Sequence, residues 1–410
     1  MPTILNTLRE RGFIQQLSHP QEIEELFARE RVTCYLGIDP TADSLHVGHL
    51  LPVMLLMHLQ RAGHRPLLVV GGGTVTVGDP SGKTEMRSLI SFEEIEYNKG
   101  CLKKQLAPML DFSPGEAVML DNADWLLPLN YISFLREIGA HFSVNRMLQA
   151  DCYRTRMERP DGGLSFIELN YMIMQSYDFL VLYREYGCKV QVGGDDQWSN
   201  ILSGADLIRR LERGEAHALT IPLLETSDGK KMGKTEAGAV WLDPNRTSPY
   251  EFYQYWRNVH DGDVAKLLAL YTLMPMTEIS ALCREGGSTL NEAKKVLAHQ
   301  VTALIHGEAA AEAAAQAAAA LFGGSGDHSA MPTTLLTAEE LTVGVNIVDL
   351  LVRTGLCESK SEARRLVQQN GATVNGERVN SIEQLVTADD LREGMIILRK
   401  GRKDYHAVKV

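Results

Sequence analysis

Short, β-rich apolar runs at residues 32–38, 66–70, 117–120 and 188–192 alternate with longer segments whose apolar positions recur at helical spacing. The runs predict buried strands, and residues 50–59, 131–148 and 166–186 predict helices between them. Strand–helix alternation of this kind implies a parallel sheet covered on both faces, hence an α/β fold of the Rossmann-like type. Ligands of such sheets sit beyond the carboxyl ends of the strands, so the loops after each strand carry the chemistry.

Beyond about residue 245 the strand signal fades. Val296, Leu297, Gln300, Val301, Leu304 and Ile305 follow the spacing of an amphipathic helix. The alanine-rich run 309–320 is also read as helix, because alanine is the best helix former. It stops at Gly323-Gly324-Ser325-Gly326, a flexible linker by composition. A small α+β domain follows, with helical (348–353, 359–369) and strand-like (372–374, 395–398) stretches. The expected division is a catalytic domain over 1–245, a helical domain over 246–322, a linker over 323–343 and a small domain over 344–410.

With 410 residues, 44% hydrophobic and 23% charged, the chain has the composition of an ordinary globular protein of two or three domains. The longest apolar run, 50–57, contains Pro52 and is too short to span a membrane. Charges at Arg9, Glu10 and Arg11 interrupt the N-terminus where an export signal needs apolar residues, so a cytoplasmic location is expected. Six cysteines stand singly without C-x-x-C spacing, which fits reduced thiols and gives no reason to expect a protein-bound metal. The net charge of −11 argues against nucleic acid, but residues 345–410 carry eleven basic against nine acidic side chains. The picture becomes an acidic body with a mildly basic appendage.

Five motifs carry candidate chemistry. In Tyr35-Leu-Gly-Ile-Asp-Pro-Thr-Ala-Asp-Ser-Leu-His46-Val-Gly48-His49 a strand ends at Ile38 and a helix begins near His46. A helix N-terminus attracts phosphate, Gly48 permits close approach, and His46 and His49 share one face. The alternatives are two surface histidines or half of a metal site, the latter without a nearby glutamate or third ligand as in H-E-x-x-H. The stretch Gly71 to Arg87 resembles a P-loop, but Val77 stands where the spacing needs glycine, so that motif is rejected. Lys83 and Arg87 can still grip phosphate, or simply be solvated.

Tyr171, Gln175 and Asp178 form one polar stripe on an otherwise apolar helix, either a satisfied core network or a pocket for a small polar ligand. In Gln191-Val-Gly-Gly194-Asp195-Asp196-Gln197-Trp198 paired glycines precede carboxylates able to accept ribose hydroxyls; a tight acidic turn is the alternative. Finally, Gly229-Lys230-Lys231-Met232-Gly233-Lys234-Thr235 is a cationic loop suited to a departing polyphosphate, with plain solvated charge as the alternative.

Taken together and in this order, the motifs resemble those of class I aminoacyl-tRNA synthetases. H-V-G-H is similar to that family's H-I-G-H and K-M-G-K-T to its K-M-S-K-S, roughly 185 residues apart. With G-D-P-S-G-K, Y-x-x-x-Q-x-x-D and G-G-D-D-Q-W added, the resemblance is to the bacterial tyrosine-specific branch, over nearly the whole chain. The C-terminal part is similar to an RNA-binding module of a ribosomal small-subunit protein. Leu36 stands where the family commonly has cysteine, Gly233 replaces serine and Val47 replaces isoleucine.

The resemblance implies a ligase that activates L-tyrosine with ATP and Mg²⁺ and transfers it to tRNA(Tyr), working as a homodimer with residues 131–148 at the interface. It places Tyr35 and Asp178 on the phenolic hydroxyl, and Tyr171, Gln175 and Asp79 on the ammonium, with Gln191 also in the tyrosine pocket. Thr41 and His46 would meet the γ-phosphate; His49, Gly194 and Asp196 the ribose; Gly37, Asp39, Gly48 and Gln197 would complete the ATP site. Lys83, Arg87, Lys231, Lys234 and Thr235 would close over pyrophosphate. Arg353, Lys360, Arg364, Arg365, Arg399, Lys400, Arg402 and Lys403 would face RNA. The competing readings are a tryptophan-specific relative, a nucleotidyltransferase that does not act on tRNA, and a non-catalytic RNA-binding protein.

Overall fold

The computed structural model describes residues 3–81, 90–158, 163–225, 227, 232–235, 238–284, 288–323, 332–392, 394–401 and 404–410. They divide into two compact units, the first comprising residues 1–234, 239–243 and 260–293, the second 235–238, 244–259 and 294–410.

The first unit is built on six strands: β1 (Gln16–Leu17), β2 (Thr33–Ile38), β3 (Arg65–Val70), β4 (Val118–Asp121), β5 (Cys188–Gly194) and β6 (His217–Ile221). Their order across the sheet is β1-β6-β5-β2-β3-β4, parallel throughout except for β1, which runs antiparallel along β6. From β2 the chain winds outward to β3 and β4 on one side, then returns to lay β5 and β6 on the other. The direction of winding therefore reverses between β2 and β5, and a crevice opens at their carboxyl ends. Near-continuous burial of β2, β3, β5 and β6 is what a sheet covered on both faces requires.

Three helices position the crevice: α1 (Val47–Arg61), α2 (Phe166–Tyr186) and α3 (Trp198–Glu212). The start of α2 is fixed by a capping box, in which Ser165 Oγ accepts the Glu168 N–H while Glu168 accepts the Ser165 N–H. Glu168 also forms a buried ion pair with Arg156. Gly187, with φ 64°, ends the helix in the left-handed conformation that glycine adopts without strain.

The single helix expected over 131–148 is broken. It is replaced by Tyr131–Glu137, a 3₁₀ turn at Gly139–His141 and a short helix at Val144–Met147. Phe142 and Ser143 take extended backbone angles, so the apolar periodicity spans pieces that change direction. The helices Val264–Tyr271 and Met276–Leu282, expected in a separate helical domain, group with the sheet. The buried Arg11 guanidinium donates to the carbonyls of Thr272 and Met274, and Tyr271 donates to the Val47 carbonyl.

In the second unit the helix Pro249–Arg257 packs on the alanine-rich helix Glu308–Gly323. Phe252 and Trp256 are buried there, as are Ala311, Ala314 and Ala317, whose small side chains permit close packing. The C-terminal sheet comprises β7 (Thr333–Leu335), β8 (Ala372–Val374), β9 (Glu377–Arg378), β10 (Met395–Lys400) and β11 (Asp404–Lys409), ordered β9-β8-β10-β11-β7. Its core includes Ile347, Leu350, Leu351, Val367, Ile396 and Leu398. Residues 333–343, expected within the linker, are β7 and the helix Ala338–Val343 of this domain; Gly324, Ser325 and Gly326 lie outside the described residues. Among the described residues no helix is long and apolar enough to cross a membrane.

Candidate functional site

The crevice between β2 and β5 holds a cavity of about 260 Å³. Its floor is set by register. Tyr35 of β2 lies directly beside Gln191 of β5, so both side chains leave the sheet on the same face. Each is 2% exposed, yet among the described residues the Tyr35 hydroxyl and Gln191 Oε1 have no hydrogen-bond partner. Buried polar atoms left unpaired cost on the order of 1–3 kcal/mol each. Two of them side by side in one cavity are expected only where something else completes the bonding.

Asp178, on α2, is 4% exposed at the same cavity. Asn122 Nδ2 donates to its Oδ2 at 2.9 Å and Trp125 Nε1 to its Oδ1 at 2.7 Å. Burial nevertheless pushes its pKa up to about 7, against those two donors and with help from the charge of Asp39. The carboxyl thus has spare acceptor capacity and a protonation state that changes near neutrality.

Asn122 organises the next layer. Its Oδ1 accepts the Gly73 N–H at 2.8 Å, and its Nδ2 also donates to Thr74 Oγ1 at 2.9 Å. Thr74 Oγ1 in turn donates to Asp39 Oδ1 at 2.8 Å, while the Tyr171 hydroxyl donates to Asp39 Oδ2 at 3.0 Å. Only glycine fits at position 71, because a Cβ there would lie 2.0 Å from Asp39 Oδ1. A second chain runs along the opposite wall. Asn200 Nδ2 donates to Gln175 Oε1 and Gln197 Oε1, and Gln197 Nε2 donates to Asp79 Oδ2 at 2.7 Å.

The two carboxylates after β5 are in different situations. Asp195 accepts from Gln16 Nε2 and Thr220 Oγ1 and ties β1 and β6 together. Asp196 lines the cavity with Gly194 and Gln197.

At the N-terminus of α1 the H-x-x-H spacing serves as a capping box. His46 Nδ1 accepts the Gly48 N–H at 3.0 Å, and His49 Nδ1 accepts the His46 N–H at 3.3 Å. The rings stack with centroids 3.8 Å apart. Since each Nδ1 is an acceptor, each neutral ring carries its proton on Nε2. Gly233 lies against this helix start. Its φ is 81°, and a Cβ would sit 3.1 Å from the Gly48 nitrogen. The Gly233 carbonyl accepts the Val240 N–H, and the Val240 carbonyl accepts the Val47 N–H. Backbone pairing therefore brings the segment around Gly233 to H-V-G-H.

Of the residues singled out from sequence, Tyr35, Gly37, Asp39, Thr41, His49, Asp79, Tyr171, Gln175, Asp178, Gln191, Gly194, Asp196 and Gln197 line the one cavity. His46, Gly48 and Gly233 form the helix-start cluster beside His49. Lys83, Arg87 and Lys231 fall outside the described residues, and Lys234 and Thr235 are described in backbone only, as a two-residue strand. Four contributors had no sequence signal beyond their place after a strand or in a helix: Thr74, Asn122, Trp125 and Asn200.

In the C-terminal domain, several expected RNA contacts already have carboxylate partners. Arg353 pairs with Glu340, Lys360 with Asp349 and Lys400 with Glu362. Arg364 and Arg365 are exposed, and Arg399 lies over the Tyr405 ring at 5.8 Å. Arg402 and Lys403 lie outside the described residues.

The family described as tRNA synthetases class I (W and Y) matches residues 28–323, and a tyrosine--tRNA ligase SYY-like C-terminal domain matches residues 326–408. The chain is 57% identical to the tyrosine--tRNA ligase of Acetivibrio thermocellus and 55% identical to that of Clostridium botulinum (strain Loch Maree), over the full length of each. Among solved structures, a C-terminally truncated mitochondrial tyrosyl-tRNA synthetase of Aspergillus nidulans superposes with a TM-score of 0.72 at 30% identity, covering 78% of this chain and 95% of that one. A tryptophanyl-tRNA synthetase of Encephalitozoon cuniculi bound to tryptophan shares the fold at 14% identity and a TM-score of 0.55, covering 75% of this chain and 86% of that one.

Proposed function

The chain belongs to the class I tRNA synthetases of the tryptophan and tyrosine group and is a ligase that joins tyrosine to tRNA at the expense of ATP; on that premise we propose how its residues divide the work. The observation that carries the assignment is the unpartnered Tyr35 hydroxyl on the crevice floor, beside Asp178. A phenolic hydroxyl donating to Asp178 and accepting from Tyr35 completes both. Phenylalanine would leave the Tyr35 hydroxyl buried without a partner and Asp178 one bond short of what its burial needs, and a site built to bond a substrate hydroxyl rejects the analogue that lacks it. An indole has no such hydroxyl, which favours tyrosine over tryptophan.

Tyr171, Gln175 and Asp79 receive the ammonium group. Asp39 holds Tyr171, Asn200 holds Gln175 and Gln197 holds Asp79, so the pocket is oriented before substrate arrives. The tyrosine carboxylate then attacks the α-phosphorus of ATP, giving tyrosyl-adenylate and pyrophosphate. No enzyme nucleophile takes part; positioning and charge stabilisation do the catalysis. His46 and Thr41 act on the γ-phosphate, with the Nε2 proton of His46 as donor. His49, Gly194 and Asp196 hold the ribose, and Gly37 and Gly48 allow close approach. Lys83, Arg87, Lys231, Lys234 and Thr235 neutralise the leaving pyrophosphate. ATP arrives as its Mg²⁺ complex, the ion carried on the substrate's own phosphates.

Residues 1–245 carry activation and residues 344–410 bind tRNA(Tyr), chiefly through Arg364, Arg365, Arg399, Arg402 and Lys403. The partners of Arg353, Lys360 and Lys400 lower their contribution. A homodimer is supported by the large apolar side chains left exposed at Leu127, Tyr131, Ile132, Val144 and Phe166. A cytoplasmic location belongs to the same reading, since charged tRNA is consumed where proteins are made. Tyrosine-dependent ATP–pyrophosphate exchange tests the reading: tyrosine should support it, and phenylalanine and tryptophan should not. Comparable exchange with either competitor would refute the pocket assignment.

A further inference from the structure

At the end of the sheet opposite the crevice, β1 leaves its partner β6 and enters the helix Pro20–Arg29. Gln16 pairs with Thr220 and Leu17 with Leu219. The Ser18 N–H donates to the Ala218 carbonyl at 3.1 Å, and the Ala218 N–H donates to Ser18 Oγ at 3.0 Å. One step further, this register sets His19 opposite His217, and the two rings lie edge to face with centroids 5.7 Å apart. Glu22, in the first turn of the helix, joins them. One potential ligand atom from each of His19, Glu22 and His217 lies within 4.8 Å of the other two.

An independent observation points to a ligand. His217 is 3% exposed, and its Nδ1 is buried with no hydrogen-bond partner among the described residues. The His19 side chain makes no capping bond to the helix it precedes. We infer that His19, Glu22 and His217 form a binding site for a divalent transition ion of the zinc class, distinct from the nucleotide crevice. Two imidazoles and one carboxylate suit Zn²⁺, Co²⁺ or Ni²⁺ better than Mg²⁺ or Ca²⁺, which prefer all-oxygen ligands.

Ligation needs neutral imidazole, and burial holds His217 below the usual histidine pKa, with Glu22 opposing that shift. Glu215 adds a second nearby carboxylate, while the Lys189 ammonium that also faces His217 is engaged by Glu30 at 2.7 Å. Metal–ligand bonds of about 2.0–2.2 Å require the three atoms to close in slightly. His19 and Glu22 are exposed and can rotate to do so. The bound ion clamps the helix Pro20–Arg29 to β6, the outer parallel strand of the sheet.

The test uses the full chain stripped with a chelator. Titration with Zn²⁺ in a calorimeter, and with Co²⁺ by visible absorption, should show one ion per chain, and saturating Zn²⁺ should raise Tm. His19→Ala and Glu22→Gln should each weaken binding at least about tenfold and remove the rise in Tm, with tyrosine-dependent exchange unchanged. Absence of saturable one-to-one binding in the parent chain would overturn the site. So would undiminished binding in the His19→Ala/Glu22→Gln double variant, which would place the ion on other histidines.

Discussion

At the floor of the crevice, side chains are bonded to one another before any substrate arrives; at the start of α1, close approach is achieved with backbone and glycine. Asp178, Asn122, Thr74, Asp39 and Tyr171 form one continuous chain of hydrogen bonds. His46 and His49 instead stack and take up main-chain N–H groups with their ring nitrogens, Gly233 lies against the Gly48 nitrogen, and a Cβ at Gly48 would fall 2.9 Å from the His46 ring. The contrast matches the two tasks proposed for these ends. Telling tyrosine from phenylalanine needs donors and acceptors that cannot relax to suit the wrong ligand. Stabilising a triphosphate as it breaks needs proton donors and positive potential within reach of several oxygens at once.

The sharpest way to separate the two ends is to injure the phosphate end alone. His46→Ala should slow adenylate formation by about 10²-fold or more while tyrosine affinity stays nearly unchanged. Lys234→Ala should behave alike. Pre-steady-state kinetics with equilibrium tyrosine binding reads both, and a large loss of tyrosine affinity with normal turnover would dissolve the distinction. At the floor, Tyr35→Phe should give the opposite pattern. The ratio of kcat/KM for tyrosine over phenylalanine should fall about ten- to a hundredfold, with little change in the chemical step once tyrosine is bound.

A smaller effect comes from pH. The Asp178 pKa is raised to about 7, so the carboxyl protonates as pH falls through neutrality and gives up the ionised acceptor that the proposed phenol contact needs. Tyrosine KM should therefore rise between pH 7.5 and about 6, and Asp178→Asn should abolish that dependence. The same shift makes an opposite contribution to stability. The ionised carboxylate is buried at a cost above pH 7, and that cost is relieved as pH falls toward the unfolded value near about 4. The smallest expected change is Gly233→Ala, whose positive φ and close neighbour should cost about 1–2 kcal/mol of stability, read from denaturant unfolding.

The sequence made the phosphate end visible as two short motifs, because helix-start chemistry is local. The polar stripe on α2 was equally legible, since Tyr171, Gln175 and Asp178 depend only on helical spacing. Asn122 and Trp125 were not, for they act through partners more than fifty residues away. Strand β6 was missed because its five residues begin with His217 and include Thr220, which break an apolar run. Nor could spacing reveal that His19 faces His217, a relation fixed by antiparallel register across nearly two hundred residues. The break within 131–148 escaped notice because apolar periodicity does not report where a helix turns a corner.

In the C-terminal sheet β11 lies between β10 and β7, so the segment made after every other strand fills an interior place. During synthesis the parallel sheet can close long before this one does. A chain halted near residue 400 would have all the parts proposed for making adenylate, while the half proposed to bind RNA would have a gap between two unpaired edges. Translation that stalls late would thus release an activator unable to deliver its product, and the exposed edges would mark it for proteolysis.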